Sequence, residues 1–226
     1  IRASYRADLP TPVDVLNLIH FEDEEAYKWY GVMMLPLLKA VNATVGWMGK
    51  HQESFLGEPR AEELLVVRYP NQRRFFTLAL NPYYLLIANP QRLKAVKRFE
   101  ASFTHSGDDL SSLRHSEWVL CIHSEESSAP VDALLEPLGA TCVYRSVETS
   151  SIKIAKRDHP ANTNPLVFKH TALFSFESPK EAANAARPEV LNQIREACGE
   201  PSVQLYRRVP RRDAMPEKLA NLLARV

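Results

Sequence analysis

Glycine is scarce. The 226 residues contain seven, none arranged as GxGxxG or as GxxxxGKS/T, which excludes a glycine-rich loop wrapped around a nucleotide's phosphates. The GxSxG turn of a serine hydrolase and the HExxH pair of a zinc protease are also missing. Cys121, Cys142 and Cys198 are an odd number without CxxC spacing, which argues against a disulfide framework or a zinc ribbon and for reduced thiols. No charge dominates: 28 Lys plus Arg stand against 27 Asp plus Glu, so nothing marks nucleic acid as the main partner. No apolar run approaches the ~20 residues that cross a bilayer, and the longest, GVMMLPLLKAV, is interrupted by Pro36. Neither a cofactor nor a metal is expected. The expected location is the cytoplasm, with anchoring or export through a segment upstream of Ile1 as the alternative.

What is present is the composition of an ordinary folded protein, 45% hydrophobic and 24% charged. VDVLNLIHF from Val13 has the almost continuous apolar character of a strand buried on both faces. The following EDEEAYKWYGVMMLPLLKAV opens with acidic residues, which suit a helix N-terminus, and Pro36 is expected to kink or end that helix. ATVGWMGKHQESFLG and EELLVVRYP read as two strands joined by a polar hairpin. NQRRFFTLALNPYYLLIANPQRL reads as a helix broken at Asn81-Pro82, followed by a turn and a last strand from Val96 to Phe103. The order is β-α-β-β-α-β, the ferredoxin-like unit.

After a turn-rich linker, residues 105–116, the order begins again. EWVLCIHS is a strand, SSAPVDALLEPLG a helix with Ser128 as N-cap and Gly139 as stop, ATCVYRSVE and LVFKHTALFSFE are strands, SPKEAANAARPEVLNQIREACG is helical and PSVQLYRRV is the closing strand. His20 aligns with His123, Pro36 with Pro137, Trp47 with Tyr144 and Tyr69 with Phe176. The longer second hairpin, SSIKIAKRDHPANTNP, falls where a loop tolerates insertion. The domains are therefore 13–104 and 117–209, two ferredoxin-like repeats, followed by a basic tail, 210–226, with a short helix. Each four-stranded sheet has an apolar face that its own helices leave bare, so the two faces are expected to close on each other within the chain. The expected fold class is α+β: an intrachain pseudo-dimeric α-β barrel.

HFEDEEAYKWYGVMMLPLLKAVNATVGW and LLVVRYPNQRRFFTLALNPYYLL, with Tyr69-Pro70-Asn71 and Asn81-Pro82-x-Tyr84, resemble the dimeric α-β barrel superfamily, in its small uncharacterised branch. The second half keeps the pattern loosely: Phe176-Glu177-Ser178 lacks the proline, and Arg187-Pro188 is not followed by tyrosines. The resemblance implies a ferredoxin-like fold closed into a barrel. The wider superfamily includes cofactor-independent monooxygenases, muconolactone-isomerase-like enzymes and haem-dependent chlorite dismutases, and fold does not choose among them.

Candidate residues follow from isolated polarity on apolar strands. His20 ends the first strand and suits a general base, or a plain rim histidine. Arg68 interrupts an apolar strand and, if buried, needs an anionic partner or substrate. With Tyr69 it is a candidate to hold an anionic intermediate. Asn17, Trp47, Tyr30 and His123 are candidate ligand contacts in an aromatic-rich first half that also holds Tyr27, Trp29, Tyr83 and Tyr84. The leading reading is a protein that binds a small, mainly apolar molecule. The alternatives are a cofactor-independent monooxygenase or isomerase and a non-catalytic interaction module using the basic tail, in which Leu219, Leu222, Leu223 and Val226 share a stripe. The oligomeric state is open between a monomer with an internal pseudo-dimer and a homo-oligomer.

Overall fold

The computed structural model describes residues 9–57, 61–107, 109–152 and 169–224. VDVLNLIHF forms β1 (Val13–Phe21). Asp23 caps α1 (Glu24–Ala40), its Oδ1 accepting the Ala26 amide at 3.0 Å, and Glu24 and Glu25 place negative charge at the positive end of the helix dipole. The helix runs through Pro36 to Ala40, so the proline does not end it. Packing of Tyr27 and Met34 against the sheet holds the helix across the one missing backbone bond.

β2 (Thr44–Leu56) and β3 (Glu63–Tyr69) follow. Asn71 caps α2 (Gln72–Ala79) by accepting the Arg74 amide at 3.1 Å. The helix stops before Pro82 as expected. Beyond the break the helical region resumes as expected, a π-helical turn (Tyr84–Ala88) running directly into α3 (Asn89–Ala95), and β4 (Val96–His105) follows with no turn between.

The presumed linker contains α4 (Ser111–His115), with Leu110 and Leu113 fully buried. After β5 (Trp118–Ser124), the expected single helix is instead α5 (Asp132–Leu135) between two 3-10 turns, Ala129–Val131 and Glu136–Leu138. Ser128 makes no side-chain cap there; its hydroxyl is buried with no partner among the described residues. Gly139 does stop the segment, at a φ of +87° that glycine tolerates best. β6 (Thr141–Ile152), β7 (His170–Phe176), α6 (Pro179–Ala185), α7 (Pro188–Cys198), β8 (Ser202–Arg208) and α8 (Glu217–Leu223) complete the chain. The expected long hairpin lies mostly within 153–168, outside the described residues, as does the start of the strand drawn from Leu166.

The eight strands close into one antiparallel barrel in the order β1-β3-β2-β8-β5-β7-β6-β4. The first four strands therefore lie side by side as β4-β1-β3-β2, and the last four as β8-β5-β7-β6. Side chains alternate between the inside of this barrel and a helix-covered outside. Leu16, Leu18, Leu64 and Val66 from one half meet Val119, Cys121, Leu173 and Tyr206 from the other in the interior cluster. Leu110 and Leu113 of the linker join the same cluster and plug it. Two glycines make this packing fit: a Cβ on Gly46 would stand 2.6 Å from Leu110 Cδ1, and one on Gly49 would stand 2.1 Å from the Trp47 ring.

Outside the barrel, α1, the π turn and α3 cover Val13, Val15, Ile19, Val67 and Tyr69. α5, α6 and α7 cover Leu120, Ile122, Ala172 and Phe174. α8 touches α1 through the Glu217 amide, which donates to Glu25 Oε1 at 2.9 Å, while Leu222 stays exposed. Among the described residues, no helix is long and apolar enough to cross a membrane.

Candidate functional site

Along β3 the inward set is Leu64, Val66 and Arg68, and the set facing α1 is Glu63, Leu65, Val67 and Tyr69. Glu63 is thus carried into the layer between sheet and helix, opposite Ile19 of β1 and Lys50 of β2. It is only 5% exposed, and its Oε1 has no hydrogen-bond partner among the described residues. Burial pushes its pKa from 4.5 up to about 7; the neighbouring Glu24 adds to that rise, while the ammonium groups of Lys50 and Lys28 oppose it. Those lysines are themselves tied to Glu24, at 2.6 and 3.2 Å, forming a charged lid over the carboxyl.

Aromatic hydroxyls extend the layer away from Glu63. The Tyr27 ring stacks between Phe21 and Tyr30, at 5.1 and 5.4 Å between centroids. Burial, then the charge of Glu63, raises the Tyr27 hydroxyl well above its ordinary pKa. Tyr30 hydrogen-bonds Tyr84, and burial likewise raises the pKa of both Tyr30 and Tyr69. These phenols remain neutral donors at any physiological pH.

Arg92 completes the group. It is 4% exposed, its guanidinium lies 4.7 Å over the Phe99 ring, and its hydrogen bonds go to the neutral Asn89 Oδ1, at 2.8 Å from Nη2 and 3.3 Å from Nε. No carboxylate among the described residues pairs with it, yet its charge reaches the Tyr27 and Tyr30 hydroxyls. A buried cation of this kind, with donors to spare, suits a bound anion.

Of the residues singled out from sequence, Asn17, Tyr30 and Tyr69 lie in this layer. Asn17 Nδ2 donates to the Val15 and Leu65 carbonyls at 3.0 and 3.1 Å, the partners its mid-strand position required. The others lie elsewhere. Arg68 faces the plugged end of the barrel, where Asp14 takes its Nε and Nη2 at 2.7 and 2.9 Å and Tyr144 donates to the same carboxylate at 3.2 Å. Its anionic partner is therefore internal. His20 stands six positions along β1 from Asp14, ~20 Å at strand spacing, with Nδ1 3.7 Å from Glu62. His20, Arg68 and Tyr69 do not share one site. Trp47 is buried in the barrel with its indole N–H on the Ser116 carbonyl at 3.0 Å. His123 is 3% exposed, held by Thr171 Oγ1 at 2.9 Å and Cys121 Sγ at 3.2 Å. A separate cavity of about 380 Å³ beside His115, Thr141 and Ser175 includes none of these residues.

No family model matches the sequence, and no curated protein matches it. Solved structures do. An anthrone oxidase-like protein superposes over 89% of this chain and 92% of its own, with 10% identity and a TM-score of 0.53. A mutant chlorite dismutase from Candidatus Nitrospira defluvii superposes over 97% of this chain and 98% of its own, with 9% identity and a TM-score of 0.52. The chain has the dimeric α-β barrel fold.

Some members of the dimeric α-β barrel superfamily carry haem, so its fit can be tested. In the second half of this α-β barrel the space between helices and sheet is filled by Leu120, Ile122, Leu135, Phe174 and Ile194, each fully buried. Those residues do not fit a macrocycle. Among the described residues, no group of three or more His, Cys, Asp or Glu is placed to hold a metal ion. Glu63 and Arg92 were not singled out from sequence. The available signal was parity: Glu63 stands in register with Leu65, Val67 and Tyr69, the alternating set that a helix would cover.

Proposed function

We propose that the protein is an enzyme that removes a proton from a small, mainly apolar carbon acid or phenol bound beneath α1. Glu63 is the base, and Arg92 with the Tyr30–Tyr84 hydroxyl pair faces the anion that results. One observation carries this reading: a buried carboxyl with an unpartnered oxygen and a pKa near 7. A base is most effective when its pKa lies close to the working pH, because it is then both available and strong enough to take the proton. Asn17, Tyr30 and Tyr69 serve as ligand contacts, and the apolar wall of Ile19, Phe21 and Phe99 selects a flat, greasy substrate. His20 and Arg68 have no part in the step.

The repeated strand order supports reading residues 13–104 and 117–209 as two β-α-β-β-α-β units that close on each other, with only the first retaining a reactive layer.

Anthrone is a suitable first probe, being flat, apolar and acidic at one carbon; an anthrone oxidase-like protein shares the fold. Loss of that proton gives a carbanion, and dioxygen then takes its electrons to yield anthraquinone and water. Oxygen uptake and anthraquinone formation should appear with the wild-type protein and fall to background with Glu63→Gln. Solvent deuterium exchange at the acidic carbon of anthrone and of related carbon acids tests the proton step without the oxidation. Absence of exchange across that panel, or exchange unchanged in Glu63→Gln, would rule the proposal out.

A further inference from the structure

The segment from the end of α2 to α3 carries apolar side chains on its outside. Leu85, Leu86 and Ile87 are consecutive on the π turn and exposed to 46%, 74% and 51%, with Leu80, Tyr83 and Leu93 exposed beside them in sequence. Three successive large apolar residues in water are unfavourable unless something covers them. The π turn itself produces the arrangement: Tyr84 and Ala88 point into the core and the three residues between them are pushed outward.

Charge identifies the cover. From Leu64 to Phe99 there is no Asp or Glu, but there are seven Lys and Arg. Arg68 is neutralised by Asp14, and Arg73, Arg74, Lys94 and Lys97 are exposed. Glu22 and Asp23 bond the Ala95 carbonyl through their amides at the far end of α3 from Leu86, Glu100 is taken up by Arg98, and Glu63 is buried beneath α1. A second copy of this chain packed face to face would set these cations against their own images. An anionic lipid surface would receive both features, apolar side chains into the acyl boundary and cations among the headgroups.

We propose that Leu85, Leu86 and Ile87, flanked by Arg73, Arg74 and Lys94, dock the protein on an anionic bilayer surface without crossing it. This docking does not depend on the enzymatic reading. The test is flotation of the full chain with vesicles of phosphatidylcholine alone and of phosphatidylcholine mixed with phosphatidylglycerol, at low and high salt. The wild type should float with the mixed vesicles at low salt and be released by salt. Leu85→Ser and Leu86→Ser should each lower partitioning roughly tenfold. A variant with Arg73→Gln, Arg74→Gln and Lys94→Gln should lose the preference for the anionic mixture. All five positions are exposed, and an unchanged thermal unfolding midpoint shows that the variants fold. Failure to float with either vesicle, flotation unchanged by Leu85→Ser and Leu86→Ser, or vesicle-free self-association that these substitutions abolish, would overturn the proposal.

Discussion

The two helix–sheet layers lie outside four strands of the same spatial order, yet one holds a buried carboxyl and guanidinium and the other is filled mainly by apolar side chains. Beneath α1 and α3 lie a carboxyl, a guanidinium and several phenols. Beneath α5, α6 and α7 lie Leu120, Ile122, Ala172, Phe174 and Ile194. A carboxyl oxygen buried without a hydrogen-bond partner costs stability, and the second layer packs apolar side chains in the equivalent place. Polarity in the first layer is therefore a departure from what folding requires, which is the reason to assign chemistry there.

The comparison breaks most decisively at Glu63. Glu63→Gln keeps the shape and removes the base, and turnover of a carbon-acid substrate should fall on the order of 10²- to 10⁴-fold, the usual contribution of a positioned base. Initial rates at saturating substrate measure it. A small change would make the two layers equivalent. The reverse effect belongs to the second layer. Phe174 is fully buried, and Phe174→Ala should cost about 3–5 kcal/mol of stability. Its rate per folded molecule should stay that of the wild type, as read from denaturant unfolding and active-fraction assays.

The layers also differ in their dependence on pH. Glu63 has a folded pKa of about 7 against an ordinary 4.5 in water, so between those values the folded form holds its proton more tightly than the unfolded form. Its stabilising effect is complete below pH 4.5 and is lost as the pH rises through about 7. Above that, the buried charge costs about 3 kcal/mol. Denaturant midpoints of Glu63→Gln and wild type should therefore diverge as pH rises, the variant becoming relatively more stable. Parallel curves would show that Glu63 ionises as it does in water.

Much of the barrel was legible because strand and helix periodicities are local. VDVLNLIHF is β1 to the residue, and the Asn81-Pro82 break falls where the proline requires it. Spatial pairing was less legible. The offsets that align His20 with His123 and Tyr69 with Phe176 would carry the Ile19–Glu63 pair onto Ile122 and His170; the ladder instead pairs Ile122 with Ala172. That slip of two keeps each side chain on its face, so the sequence alignment still separates inside from outside. Leu110 and Leu113 were hidden in a stretch whose turn formers suggested a linker, because only closure of the barrel supplies the apolar cavity they fill. Arg68 showed its need for an anion, but not that register would bring Asp14 opposite it. Glu63 looked like the polar head of a strand beside the exposed Glu62, and only α1, distant in sequence, buries it.

Ser128 gives the finest test of the contrast. Its hydroxyl, like one oxygen of the Glu63 carboxyl, is buried with no partner among the described residues, but it lies in the second half, in front of the short 3-10 turn that it fails to cap. Ser128→Ala removes that polar atom at little cost in volume. The protein should gain about 1 kcal/mol, seen as a higher denaturant midpoint with an unchanged slope, and turnover should not move. If Ser128→Ala instead lowers activity, the second layer takes part in the reaction, and the division of labour between the halves is wrong. If it destabilises, the hydroxyl satisfies a bond in solution, and an unpartnered buried group ceases to distinguish the layer that holds Glu63.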